Sequence, residues 1–201
     1  MSIVIFDTEY TSWKGCQEFG WKNGQKKEVV QLSAIKINEN LEVIGEFSVY
    51  VKPKINPVLS DYFINLTGIT NEMITEKGIS LSDAYALFSQ FVDNDVCWSH
   101  GWGSPLENIS DGQIINDNLQ LIGIHPKNIK YYNIAAFFAE MYKKYNIDIK
   151  SQSSGMIATL LGRDKNLKNL GLATHNALYD VYSILEGIKN FREDAKMLFE
   201  I

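Results

Sequence analysis

Apolar residues first gather at Ile3-Val4-Ile5-Phe6, an unbroken run that predicts a buried strand over residues 2–7. Two longer stretches, 28–37 (EVVQLSAIKI) and 41–52 (LEVIGEFSVYVK), predict further strands, joined by the polar turn Asn38-Glu39-Asn40. Pro53 and Pro57 end the sheet signal, and 60–70 and 70–78 read as short helices or turns. Helical spacing returns at 80–92, with Ala84, Leu87, Phe88 and Phe91 expected on one buried side. Strand character resumes at 95–103 and is followed by a loop at 104–110. A helix is expected over 111–123, stopping near Gly123, then a short buried strand at 130–134 leading into a helix at 135–145. Two more helices are expected at 152–161 and about 175–190, with a short tail helix beyond Phe191.

Three strands, a helix and then alternating strands and helices imply an α/β fold: a five-stranded mixed sheet with helices on both faces. At 201 residues, without repeats, low-complexity tracts or a linker, the chain is expected to form one domain over 1–201. The stretch from Ser12 to Lys27 is the longest candidate loop, and loops of that length tend to carry function.

Composition narrows the class. Hydrophobic residues at 45% and charged residues at 21% are ordinary for a soluble protein. No apolar run approaches the roughly 20 residues needed to span a bilayer, so no membrane association is expected. Cys16 and Cys97 have neither metal-ligand spacing nor the look of a disulfide framework, and a cytoplasmic location is the simplest expectation. The net charge of −5 argues against nucleic-acid binding by bulk charge alone, although Lys14, Lys22, Lys26 and Lys27 cluster in one segment. That cluster reads equally as a solvated loop.

The acids are harder to place. Asp7 and Glu9 lie two apart at the end of a buried strand, so their side chains share one face, where like charges repel. They are either solvent-facing at a fraying end, or they surround something positive. On the 111–123 helix, Asp111 falls on the face of Ile114, Ile115, Leu119 and Ile122, whereas Asp117 falls on the polar side. Ser110 or Asp111 could also be a helix N-cap. In the last long helix Asp180 borders the stripe of Ala177, Val181, Ile184, Leu185 and Ile188, and Glu186 is expected to face solvent. His175 precedes Asp180 by five residues and could reach over it, while His100 and His125 have weaker claims. Carboxylates gathered from three segments suit divalent cations bound through oxygen. Two such ions about 4 Å apart stabilise the attacking and leaving oxygens of a phosphoryl displacement, and a near-neutral histidine suits the base.

In order and spacing, Asp7-Thr8-Glu9, Asp111 with Ile114 and Ile115, and His175 through Asp180 resemble the three motifs of the DnaQ-like DEDDh 3′–5′ exonucleases. The segment INPVLSDYFINLTGIT (55–70) is similar to that of the ERI-like branch, which trims RNA 3′ ends. The resemblance runs from residue 3 to about 190. It implies a ribonuclease H-like fold and hydrolysis of single-stranded RNA or DNA from the 3′ end to nucleoside 5′-monophosphates. It further implies two Mg²⁺ or Mn²⁺ held by Asp7, Glu9, Asp111 and Asp180, with Asp117 the fallback for Asp111, and His175 as general base. Thr8, Leu66, Thr67 and Ile69 are implied beside the terminal nucleotide, although Leu66 and Ile69 also suit a plain core. Trp13 and Trp21 are candidates for stacking on upstream bases.

Two rival readings remain at this stage. An aspartyl-phosphate phosphatase would place a nucleophilic Asp after the first strand, but it wants a second Asp at +2, where Glu9 stands. A nuclease fold without turnover, binding only nucleic acid or a protein partner, is the other.

Overall fold

The computed structural model of the chain describes residues 1–101, 110–149 and 153–200. Strand β1 spans Ser2–Tyr10, β2 Val29–Asn38, β3 Val43–Tyr50, β4 Val96–Ser99 and β5 Tyr131–Asn133. They form a mixed sheet in the order β3-β2-β1-β4-β5. The first three strands pair antiparallel, as expected for hairpin-type connections, whereas β4 and β5 join parallel to β1 through helical crossovers. The fully buried run Ile3–Phe6 is central because β1 has neighbours on both sides.

Side-chain alternation along the strands feeds two apolar layers. On one face Ile3, Ile5, Ile35 and Ile37 pack against α6 (Ala135–Lys144) and α8 (Ala177–Asn190) through Phe138, Val181, Ile184 and Ile188. On the other, Val4, Phe6, Leu32 and Ala34 pack against α4 (Leu81–Val92) and α5 (Asp111–Leu121). A satellite cluster of Val30, Leu59, Phe63, Ile69 and Ile74 seats the short helices Asp61–Thr67 and Asn71–Lys77 beside β2. Ser60, Thr70 and Ser80 cap the helices that follow them, each hydroxyl accepting a backbone N–H.

The structure departs from the sequence expectations at several places. β1 continues to Tyr10 instead of ending at residue 7, because its outer residues pair with β2 as far as Val29. At about 100° per residue, Ala84, Tyr85, Phe88 and Val92 share one arc of α4 and Leu87 falls roughly 60° outside it. Tyr85 is therefore buried and Leu87 exposed. The helix expected at 152–161 is a turn of 3₁₀ helix, Ser154–Met156, running into Ile157–Leu160, and residues 151–152 lie outside the described residues. So do residues 102–109, which hold the end of the expected fourth strand and most of its loop. Two further 3₁₀ segments, Asp164–Leu170 and Asp194–Phe199, complete the chain, the second in place of the expected tail helix.

Glu186 is a clear reversal. Expected at the surface, it is buried. Its carboxylate accepts from Arg163 Nε (3.0 Å) and Asn166 Nδ2 (2.5 Å), and pairs with Arg163 Nη2 and Lys189 Nζ, both at 2.9 Å. Arg163 and Asn166 belong to the 3₁₀ region, which folds over α8 and turns an exposed acid into an anchor.

Candidate active site

The carboxyl end of β1 carries the centre of the site. Alternation sends Asp7 and Glu9 to the α8 side of the sheet, in line with Ile3 and Ile5, and sends Thr8 to the α5 side. On α8, Asp180 sits in the first turn, buried, after an Asn176 N-cap whose side chain accepts the Leu178 N–H. One carboxylate oxygen from each of Asp7, Glu9 and Asp180 lies within 4.8 Å of the others. Asp111 approaches from the opposite layer. Ser110 takes the N-cap position of α5, which leaves the Asp111 carboxylate free to accept from the Thr8 backbone N–H (3.1 Å) and the Thr8 hydroxyl (2.5 Å). Asp117 is exposed on the far side of α5 and is held by Gln113 at 2.6 Å, so the acid brought to β1 is Asp111 and not the fallback.

Crowding of buried acids shows in their protonation. Burial, followed by the charges of Asp111, Asp180 and Glu9, holds the Asp7 carboxyl well above the usual carboxylate range. Glu9 is raised in the same way by burial, Asp180 and Asp111. Burial lifts Asp111 to about 6 against the opposing Thr8 hydrogen bonds, and lifts Asp180 to about 7 against the Ser154 hydroxyl. These groups are unfavourable as neighbours unless a cation offsets their charge.

Asp180 is seated by the segment before α7 (Ile157–Leu160). Ser154 Oγ donates to Asp180 Oδ2 at 2.9 Å, and Gly155 packs so closely that a Cβ there would lie 2.4 Å from Oδ1. Oδ1 itself is buried with no hydrogen-bond partner among the described residues. A buried oxygen left unpaired is costly, and this one belongs to a carboxylate that has an oxygen within 4.8 Å of those of Asp7 and Glu9. The donor set, all hard oxygens, and this orphaned atom both fit a divalent cation such as Mg²⁺ or Mn²⁺.

A cavity of about 310 Å³ opens over the acids. Asp7, Thr8, Glu9, Asp111, Asp180 and His175 all line it. His175 has φ +64°, a left-handed backbone uncommon for a residue with a side chain, and sits half-buried just before the α8 N-cap. Partial burial lowers its pKa, so the imidazole is neutral at neutral pH. Of the residues expected beside a terminal nucleotide, Thr8 and Leu66 line the cavity. Thr67 and Ile69 do not: the Thr67 hydroxyl donates to Phe63 O and accepts from Ile69 N–H, and Ile69 is fully buried in the satellite cluster.

Sequence reasoning missed Tyr62, Ser154, Gly155 and, as a lining residue, His100. Tyr62 stands one helical turn before Leu66 on the same face, a spacing visible in the sequence. His100 follows β4 and is buried, and desolvation drops it to about 4, so it is neutral as well. Ser154 and Gly155 carry no motif. Their role depends on a close approach that spacing does not reveal.

The fold is ribonuclease H-like, with four acids and a histidine from β1, α5 and the start of α8 brought to one end of the sheet. The chain matches the exonuclease family model (RNase_T) over residues 4–186 and belongs to that family. Among curated relatives, it is 30% identical over 91 residues to ERI1 exoribonuclease 2 of Xenopus laevis, 45% of this chain and 12% of that protein. It is 26% identical over 148 residues to the 3′-5′ exonuclease eri1 of Schizosaccharomyces pombe, 70% of this chain and 46% of that protein. The chain thus spans less than half the length of these relatives. Among solved structures, the nuclease domain of 3′hExo, a DEDDh family member bound to rAMP, matches with a TM-score of 0.68 at 19% identity, covering 96% of this chain and 92% of that one. Exonuclease I of E. coli in complex with a dT13 oligonucleotide matches with a TM-score of 0.72 at 17% identity, covering 99% and 42%.

No helix among the described residues is long and apolar enough to cross a membrane.

Proposed function

We propose that the chain is a metal-dependent 3′–5′ exonuclease that hydrolyses single-stranded RNA or DNA from the 3′ end and releases nucleoside 5′-monophosphates. The observation that carries this reading is the convergence of Asp7, Glu9 and Asp180 within 4.8 Å, with Asp111 on the other flank of the same strand end. These four acids would hold two Mg²⁺ or Mn²⁺ ions. Bound divalent cations supply charge neutralisation and an activated water for attack on the phosphodiester.

The protein's own groups have distinct tasks. His175, neutral and lining the cavity, accepts the proton of the attacking water. Thr8 holds Asp111 toward the strand end through its N–H and hydroxyl. Tyr62 and Leu66 form an apolar wall on which a terminal base can rest. The cavity volume lies within the range of small-molecule pockets, which suits one terminal nucleotide and not a duplex end. A reducing, cytoplasmic setting is part of this proposal, and in it Cys16 and Cys97 remain buried free thiols.

The test is digestion of single-stranded RNA and DNA labelled at either end, with Mn²⁺ present. Stepwise loss from the 3′ end with mononucleotide products is expected, and Asp7→Ala should abolish it. Intact oligonucleotides with wild type and variant alike would overturn the reading. Binding without cleavage would instead favour the inactive nuclease-fold module.

A further inference from the structure

The segment between β1 and β2 is a built wall. It contains one short helix, α1 (Cys16–Phe19), and its ends are pinned from several directions. The Thr11 hydroxyl donates to Lys26 O (2.6 Å) and accepts the Glu28 N–H (2.9 Å). Trp21 Nε1 donates to Thr11 O at 3.0 Å. Asn118 of α5 donates to Lys27 O and accepts from Val29 N–H. The buried Glu28 carboxylate accepts three successive backbone N–H groups, Lys54, Ile55 and Asn56, at 2.6–2.7 Å. The wall is thereby tied both to the helix that carries Asp111 and to the segment that leads to Tyr62 and Leu66.

On this wall the charge is one-sided. Residues 14–27 hold four lysines against one acid, Glu18, in a chain whose net charge is −5. None of Lys14, Lys22, Lys26 and Lys27 is in an ion pair among the described residues. Lys27 Nζ lies 4.3 Å from the centre of the Trp21 ring and 5.5 Å from that of Tyr10. Tyr10 in turn lines the catalytic cavity. Beyond Lys27, a groove of about 410 Å³ runs between Lys26 and Lys27 and the α5 residues Ile114, Asn118 and Leu121. An adjoining cleft shares Asn118 and Leu121 and is flanked by Lys52 and Lys54, both exposed. Lysines thus continue from the rim of the cavity along one side of the molecule.

From this continuity we infer that the wall is a phosphate track: the nucleic-acid strand upstream of its 3′-terminal nucleotide leaves the cavity past Tyr10 and runs along Lys22, Lys26 and Lys27. This inference rests on the exonuclease reading and extends it to the length and charge of the substrate. Contacts to phosphate carry no base information, so the track is indifferent to sequence. The indole of Trp21 is already covered on one side by Lys27, so its work is to hold that ammonium group in place, and not to stack freely on a base.

The test is equilibrium binding with cleavage suppressed by EDTA. Fluorescence anisotropy is measured on 5′-labelled oligo(U) and oligo(dT) of 2, 6 and 12 nucleotides between 50 and 200 mM salt, where the slope of log K against log[salt] is about −0.7 for each phosphate neutralised. The wild type should bind the 12-mers more tightly than the 2-mers, with a steeper salt slope. In K22Q/K26Q/K27Q the 12-mer slope should flatten by about 2 and affinity at low salt should fall about tenfold or more. K22R/K26R/K27R should restore both. K14Q/K22Q/K26Q spares the ring-bound Lys27 and so guards against a folding defect, and it should show a smaller flattening in the same direction. Equal slopes in wild type and K22Q/K26Q/K27Q, or dimers bound as tightly as 12-mers, would overturn the track. Neither of those results depends on cleavage, so the exonuclease reading stands or falls separately.

Discussion

Gly155→Ala is a one-carbon change that should disable the site while sparing the fold. The added methyl would lie 2.4 Å from Asp180 Oδ1 and 3.0 Å from its Cγ. Ordinary contact for such a pair begins at 3.4 Å, so the carboxylate must withdraw by about 1 Å. Gly155 has a negative φ, so alanine adds no backbone strain and slightly restricts the unfolded chain. The cost therefore falls on the acid cluster. A displacement of about 1 Å in a positioned group costs on the order of 100-fold in rate. Mn²⁺ affinity, measured by titration calorimetry, should weaken about tenfold or more, as when an outer-shell support of a metal ligand is lost. Gly187→Ala is the control. Its methyl would meet Ile157 Cγ2 at 2.4 Å and Phe138 Cε1 at 2.7 Å in the apolar layer, seven residues (about 10 Å) along α8 from Asp180. It should cost about 1–3 kcal/mol of stability with little loss of metal affinity. Calorimetry, thermal melting and cleavage rates on both variants separate the two effects. If Gly155→Ala keeps wild-type Mn²⁺ affinity and a rate within about threefold, the reasoning is wrong.

Stability should also respond to pH and to two single changes. Asp111 and Asp180 have folded pKa values raised to about 6 and about 7, above their ordinary value of 3.8, so the fold binds more protons than the unfolded chain between pH 4 and 7. Stability contributed by their protonation is complete below pH 4 and is lost as pH rises through 6 and 7. Without divalent cations, Tm should fall between pH 5 and pH 8, and millimolar Mg²⁺ should reverse most of the fall. Asp7→Asn removes one buried charge and should raise the metal-free Tm at pH 8 by several degrees while abolishing cleavage; a Tm flat in pH and unmoved by Asp7→Asn refutes this account. Glu186→Ala leaves Arg163 and Asn166 without their shared acceptor and should cost about 2–3 kcal/mol, or roughly 5–10 °C in a melting scan, and an unchanged Tm would show that the anchor is idle.

Legibility from sequence followed the physics of each element. The unbroken apolar run of β1 is readable because a central strand is buried on both faces, and the apolar stripes of α5 and α8 because their burial is periodic. Asp111 stood out as an acid on an apolar face, and Asp180 as one on its border. Leu87 is exposed because its angle lies outside the buried arc of α4, whereas Glu186 is buried because the neighbour that covers its angle comes from another segment. Arg163 and Asn166 supply that neighbour for Glu186, and nothing in their local sequence announces it. Gly155 was invisible because its meaning is a missing atom. Ile69 reads alike as a wedge or as core, and only the satellite cluster around Phe63 separates the two.

Because Thr8 turns to one side of the sheet and Asp7 and Glu9 to the other, the four acids belong to two different layers. A chain with only the α6 and α8 layer packed would assemble Asp7, Glu9 and Asp180, and one with only the α4 and α5 layer would assemble Asp7, Glu9 and Asp111. Neither half holds the full set. On the exonuclease reading proposed above, cleavage would thereby be conditional on completed folding, because a nascent or half-unfolded chain would lack the full set of acids. By the same geometry, cations held among these acids would act as rivets through the sheet, so that the two layers part together.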